Sequence, residues 1–122
     1  MKETYETGLQ GEQAAENYLR NTCGMTLLER RYRTRHSEID LIMLDGETVV
    51  FVEVKTRKTG SPGTGMMAVN SAKQKRIAQG AVLYLMNSRR MNQPVRFDVL
   101  EVRPDSVVHV PDAFQPGSMY YR

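Results

Sequence analysis

Residues 37–58 read SEIDLIMLDGETVVFVEVKTRK, two apolar runs hinged on Asp45-Gly46. An Asp-Gly pair between such runs is a strong hairpin signal. It predicts strands over residues 38–44 and 48–55. Residues 49–54, VVFVEV, are apolar on both faces up to Glu53. A strand of that kind is central in its sheet and covered from both sides. The chain must therefore fold as a sheet with helices packed against it.

Four charged residues interrupt this pattern: Glu38, Asp40, Glu53 and Lys55. Strand side chains alternate with period two, so Glu53 shares a face with Lys55, and Glu38 with Asp40. The turn decides how the pairs meet. A two-residue turn at Asp45-Gly46 pairs Glu38 with Glu53, whereas a four-residue turn pairs Asp40 with Glu53. Either register brings all four charges to one face; a three-residue turn would set the pairs on opposite faces.

Carboxylates held together repel and raise each other's pKa unless a cation sits between them. A cross-strand ladder of ion pairs on a wet face is one outcome. The apolar neighbours of Glu53 oppose it, because burying that carboxylate without a partner is costly. Oxygen-only ligands suit Mg²⁺ or Mn²⁺, ions that keep water and also bind phosphate. Lys55 adds a positive charge or a proton-handling amine. Metal, water and cation are what phosphodiester hydrolysis requires.

Elsewhere, helical spacing of Leu9, Ala15, Tyr18 and Leu19 predicts a helix over residues 10–21, broken at 22–24. MTLLERRYR reads as a strand and TGSPGTG, residues 59–65, as a loop. A second helix is expected to start near Ser71, with Gln74 completing a capping box and Ile77, Ala78, Ala81 and Leu85 as its buried stripe. VRFDVLEV is a final strand. The tail after Pro104, with Pro111, Pro116 and Gly117, is expected to wrap loosely over the surface. With 122 residues the chain suits one domain, its core at about 8–103 and its tail at 104–122.

The single cysteine, Cys23, excludes an intramolecular disulfide and a cysteine zinc cage, and suits a reducing cytosol. No apolar run approaches the ~20 residues of a membrane span, and the polar start is unlike a secretory signal. A soluble, cytoplasmic protein is expected. The net charge is +3, and the basic residues cluster in ERRYRTRH, KTRK, KQKR and Arg89-Arg90, which fits a polyanionic partner. Lys73, Lys75 and Arg76 fall near the start of the second helix. The helix dipole disfavours cations there unless a bound phosphate offsets it. Arg57 is placed to contact the same backbone. Arg31, Arg33 and Arg35 alternate along one strand face, as a phosphate track or as an edge-strand defence. His36 and His109 lack metal-pair spacing and read as structural or surface residues.

Five stretches occur in order: GLQGEQAAENYL, EIDLI, VVFVEVKTRK, AKQKRIAQGAVLYL and VRFDVLEV. Each is weak alone, but together they resemble the YraN-like family of bacterial endonuclease-like proteins, within the PD-(D/E)-x-K restriction-endonuclease-like superfamily. The resemblance covers roughly residues 8–102. It implies an α/β fold with a restriction-endonuclease-like αβββαβ core, a mixed sheet flanked by helices, in agreement with the element order above. It makes Asp40 and Glu53 metal ligands, the Val54 carbonyl a further ligand, and Lys55 the catalytic lysine. Glu12 matches the helix carboxylate of the family and resembles an acidic residue of archaeal Holliday-junction resolvases. Family members usually carry glycine before EID, where this chain has Ser37.

The function implied is a Mg²⁺- or Mn²⁺-dependent DNA endonuclease on branched or structured DNA. A homodimer would be natural by analogy with the resolvases, although no heptad demands one. The alternative is a nucleic-acid-binding module that keeps the fold without catalysis.

Overall fold

The computed structural model describes residues 2–61 and 69–115, with side chains from residue 8 onward. Helix α1 (Lys2–Asn21) precedes strands β1 (Thr26–Arg33), β2 (Glu38–Asp45) and β3 (Thr48–Thr56). Helix α2 (Ser71–Asn87) then leads to β4 (Val95–Arg103) and β5 (Ser106–Val110). The strands form one sheet in the order β1-β2-β3-β4-β5. β3 and β4 run parallel, joined through α2, and the remaining neighbours are antiparallel. This is the mixed α/β arrangement expected, with one strand added.

The doubly apolar strand is central, as its sequence requires. Val49 and Phe51 point into a cluster with Ile77, Ala81, Tyr84 and Leu85 of α2. Val50 and Val52 point into the opposite cluster, with Ala15 and Leu19 of α1. All four strand residues are at most 1% exposed. The α2-side core is aromatic: Phe97 stacks on Phe51 at 5.5 Å and on Phe114 at 5.2 Å between ring centroids.

The tail does not wrap loosely over its described length. Arg103 pairs with Ser106 across Pro104-Asp105, and β5 closes the sheet against β4. Proline at the first position of a tight turn has its φ already set, so Pro104 turns the chain back rather than releasing it. The Ala113 N–H then donates to the Phe97 carbonyl at 2.7 Å, and Phe114 is buried. Pro116 and Gly117 of the tail lie outside the described residues, as do residues 62–68 of the expected loop and of its approach to α2.

The start of α2 also differs from expectation. Its cap is Asn70, one residue before Ser71: the Asn70 Oδ1 accepts the Lys73 N–H at 2.9 Å. Gln74 donates to the Val69 carbonyl at 3.0 Å rather than completing a box with Ser71. Asparagine and serine cap helices about equally well, so adjacent candidates leave a one-residue ambiguity. The expected stripe of Ile77, Ala78, Ala81 and Leu85 is buried, together with Gly80 and Tyr84.

Candidate functional site

The hairpin has the second of the two registers left open by the sequence, but reaches it through a two-residue turn displaced by one residue rather than through a four-residue turn. Asp45 pairs with Thr48, Leu44 with Val49 and Leu41 with Val52. Gly46 and Glu47 therefore make the turn, with Gly46 at φ +62°, a left-handed conformation that glycine adopts without strain. Continued by one residue, this register sets Asp40 opposite Glu53.

The ladder between β2 and β3 has Leu41–Val52 as its last rung on that side. Beyond it, Asp40 Oδ2 accepts the Val54 N–H at 2.8 Å. A side-chain oxygen of β2 thus stands where a strand carbonyl would be. Ile39 belongs to the α2-side cluster, whereas Leu41 belongs to the α1-side cluster. Residues two apart in a regular strand share a face, so the pleat breaks at Asp40. On β1, Arg31 sits between the rungs Arg30–Leu41 and Tyr32–Ile39, level with Asp40. Its φ is +47°, unusual for a side-chain-bearing residue, so both strands are irregular at this point.

Glu53 is 5% exposed. Its Oε1 meets Lys73 Nζ at 2.6 Å and Lys55 Nζ at 3.5 Å. Its Oε2 is buried and has no hydrogen-bond partner among the described residues. Desolvation of Asp40 and the nearby Glu53 charge push the Asp40 carboxyl up to about 7; Glu12 adds to the rise, and the Val54 N–H and Lys73 oppose it. Burial and the neighbouring Lys73 push Lys55 below the usual lysine value, against the pull of Glu53 and Asp40. Lys73 moves the other way: burial works against its charge, but contact with Glu53 raises it.

Glu12 approaches from α1. Its carboxylate grips Arg31 in a bidentate pair, Nε to Oε1 at 2.8 Å and Nη2 to Oε2 at 3.3 Å. Gly11 permits this approach, because a Cβ there would lie 2.5 Å from Thr56 Oγ1 at the end of β3. Glu12 therefore leans toward the sheet and acts on Asp40 through charge.

Not every charged residue joins the group. Glu38 pairs with Arg33, its cross-strand register partner on β1, and is only partly buried. The expectation that it shares a site with Glu53 fails because the pleat breaks between them. Of the basic residues, Lys73 turns inward to Glu53, whereas Lys75 and Arg76 are exposed on the same part of α2. Arg57 is half-buried and donates to the Thr56 carbonyl at 3.1 Å. Arg33 and Arg35 are exposed on and just beyond β1. The described contact of Val54 with Asp40 is through its N–H.

Glu101 was not foreseen. It is 1% exposed, and in the parallel register it is the partner of Lys55. Phe97 and Val99 face α2, so Glu101 falls on the same face as Glu53. It binds Arg103 at 3.1 Å, and Arg103 in turn reaches the Gly60 carbonyl at 2.6 Å. The signal in the sequence is a carboxylate flanked by the apolar Leu100 and Val102. His109 is structural: its Nε2 lies 2.7 Å from Asp98 Oδ2.

Among the described residues no group of three or more His, Cys, Asp or Glu stands close enough to cage a metal. Asp40 and Glu53 are a pair. Mg²⁺ is commonly held by one or two carboxylates with water and phosphate completing the shell. The buried Glu53 oxygen with no partner among the described residues, beside a carboxyl whose charge is disfavoured, fits such an ion. No helix of the described residues is long and apolar enough to cross a membrane.

The family model "Uncharacterised protein family UPF0102" matches residues 11–102. Curated relatives called UPF0102 protein include one from Geobacter metallireducens, 39% identical over 112 residues, covering 88% of this chain and 91% of its own. Another, from Chlorobium chlorochromatii, is 46% identical over 121 residues, with 91% and 92% covered. A third, from Symbiobacterium thermophilum, is 48% identical over 97 residues, with 80% and 81% covered. A solved structure titled "Crystal structure of SSO0001" overlaps with a TM-score of 0.39 and 13% identity; 90% of this chain is covered, spanning about half (52%) of that one. Matched over most of its length by the family model and by these bacterial relatives, the chain belongs to family UPF0102, the YraN family to which its five motifs point.

Proposed function

We propose that the protein is a metal-dependent endonuclease that hydrolyses DNA phosphodiester bonds, with structured or branched DNA as its substrate. The observation that carries this reading is the buried Oε2 of Glu53, without a hydrogen-bond partner among the described residues, on the same sheet face as Asp40. Asp40 and Glu53 would hold Mg²⁺ or Mn²⁺, with the backbone of Val54 at their side. Such an ion, once bound, supplies an activated water and neutralises charge on the phosphate.

The chain's own residues account for the rest. The Val54 N–H fixes the Asp40 carboxylate. Lys55, 3.5 Å from Glu53 Oε1, presents an ammonium beside the carboxylates, where developing phosphate charge would need it. Its lowered pKa also suits proton handling. Glu12 holds Arg31 where β1 takes its left-handed conformation, level with Asp40. Arg57, Lys75, Arg76, Arg33 and Arg35 would track the phosphate backbone, giving an affinity that falls steeply with salt. A homodimer would offer two sites to a branched substrate.

The test is cleavage of branched, flapped, single-stranded and duplex DNA with Mg²⁺ or Mn²⁺ by wild type, Asp40→Ala and Lys55→Ala. Cutting by wild type alone is expected. Cutting that survives both substitutions would place the activity elsewhere. One observation favours a second reading, a non-catalytic DNA-binding module: Lys73 at 2.6 Å balances Glu53 without any metal. That reading expects salt-sensitive binding and no cleavage with either ion.

A further inference from the structure

Lys73 is in the first turn of α2, which carries no acidic residue. A cation there opposes the helix dipole, so its position needs an anion to offset it. That anion is Glu53, 2.6 Å away on the neighbouring sheet. The main chain of Lys73 is fixed by the Asn70 cap, so its side chain bridges from helix to strand. Lys55 approaches the same oxygen at 3.5 Å. Two ammonium groups thus share Oε1, while Oε2, on a side chain only 6% exposed, has no partner among the described residues. The carboxylate is balanced in charge but not in coordination.

We infer that Lys73 is a resident counter-ion of the site, a positioning residue that neutralises Glu53 in the metal-free protein and yields that carboxylate to an incoming divalent cation. The inference rests on the metal-dependent reading of the site. It assigns Lys73 a role different from a plain phosphate contact. The ammonium and the ion compete for one carboxylate, so removing the ammonium strengthens metal binding while weakening the metal-free fold. Lys73 carries a side chain 30% exposed, which gives it room to swing away once the ion is bound.

The test is Mn²⁺ binding followed by electron paramagnetic resonance, with thermal unfolding of the metal-free proteins, for wild type, Lys73→Met, Lys73→Gln and Glu53→Gln. Lys73→Gln keeps a hydrogen-bond donor toward Glu53 and serves if the methionine variant does not fold. Both lysine variants should bind Mn²⁺ about fivefold more tightly, the size of effect a partly exposed ion pair exerts. Both should also unfold at lower temperature without metal and recover more than wild type when Mn²⁺ is added. Glu53→Gln should bind no Mn²⁺. Wild-type binding that is unchanged or weaker in both lysine variants overturns the role of Lys73 and leaves the metal site standing. No binding by wild type removes the metal site and, with it, the competition.

Discussion

Asp40 Oδ2 accepts the Val54 N–H at 2.8 Å, a side chain of one strand completing the hydrogen bonding of the next. The bond fixes one oxygen of the carboxylate on the face of β3 that carries Glu53 and Lys55. It also explains how the β2–β3 ladder ends beyond Leu41–Val52 while the Val54 N–H keeps an acceptor.

Two substitutions separate these roles of Asp40. Asp40→Asn keeps an acceptor for Val54 and removes the charge that Glu53 repels. Stability at neutral pH should match or exceed that of wild type, while metal-dependent cleavage falls roughly 100-fold or more. Asp40→Ala removes both, and should be less stable than Asp40→Asn by about 1 kcal/mol, the worth of one hydrogen bond. Denaturant unfolding beside a cleavage assay reads both quantities.

Gly80 supports the same region from α2. A Cβ there would lie 2.5 Å from Ser37 Oγ and 3.4 Å from Ile39 Cδ1. Ser37 Oγ lies 2.8 Å from Thr34 Oγ1 in a hydrogen bond, so it has little freedom to retreat. Gly80→Ala should cost about 1–3 kcal/mol through overpacking. Adding Ser37→Gly, the residue usual in the family before EID, should recover most of that loss. Urea midpoints of the two single variants and the double variant measure the coupling.

Much of this was readable beforehand. The apolar faces of Val49–Val52 required a covered central strand, and Asp45-Gly46 placed its hairpin. The register stayed open between two turns, because alternation alone cannot count loop residues. The break at Asp40 was hidden, since reasoning from period two assumes a regular pleat and nothing in EIDLI announces otherwise. That same assumption placed Glu38 with Glu53, when Arg33 holds it instead. β5 is hard to read from sequence because only six residues separate Pro104 from Pro111, and a proline there reads as an end of regular structure rather than as a turn. Lys73 looked like a phosphate contact because sequence shows the helix end but not the strand carboxylate packed against it.

On the α1 side, Asp98 is fully buried among Arg96 at 2.9 Å, His109 at 2.7 Å and the Asp112 N–H at 2.9 Å. Burial raises its carboxyl, but His109, Arg96 and the Asp112 N–H together hold it below the usual value. An acid whose pKa is lower folded than unfolded contributes stability above its unfolded value of about 3.9 and loses it as pH falls through the folded one. Wild type should therefore lose stability below about pH 4. Asp98→Asn should flatten that part of the profile and cost about 2 kcal/mol at neutral pH, since it weakens the charge-assisted bonds to Arg96, which keeps a second carboxylate partner in Asp45 at 3.2 Å. Thermal unfolding from pH 3 to 8 checks both.

The central claim is that Asp40 and Glu53 share one divalent ion, and anomalous diffraction from a crystal soaked in Mn²⁺ tests it most directly. A peak between the Asp40 and Glu53 carboxylates is predicted, with Lys73 Nζ withdrawn from its 2.6 Å contact with Oε1. A saturating soak that leaves no peak between the two carboxylates, with Lys73 still seated on Glu53, would contradict it.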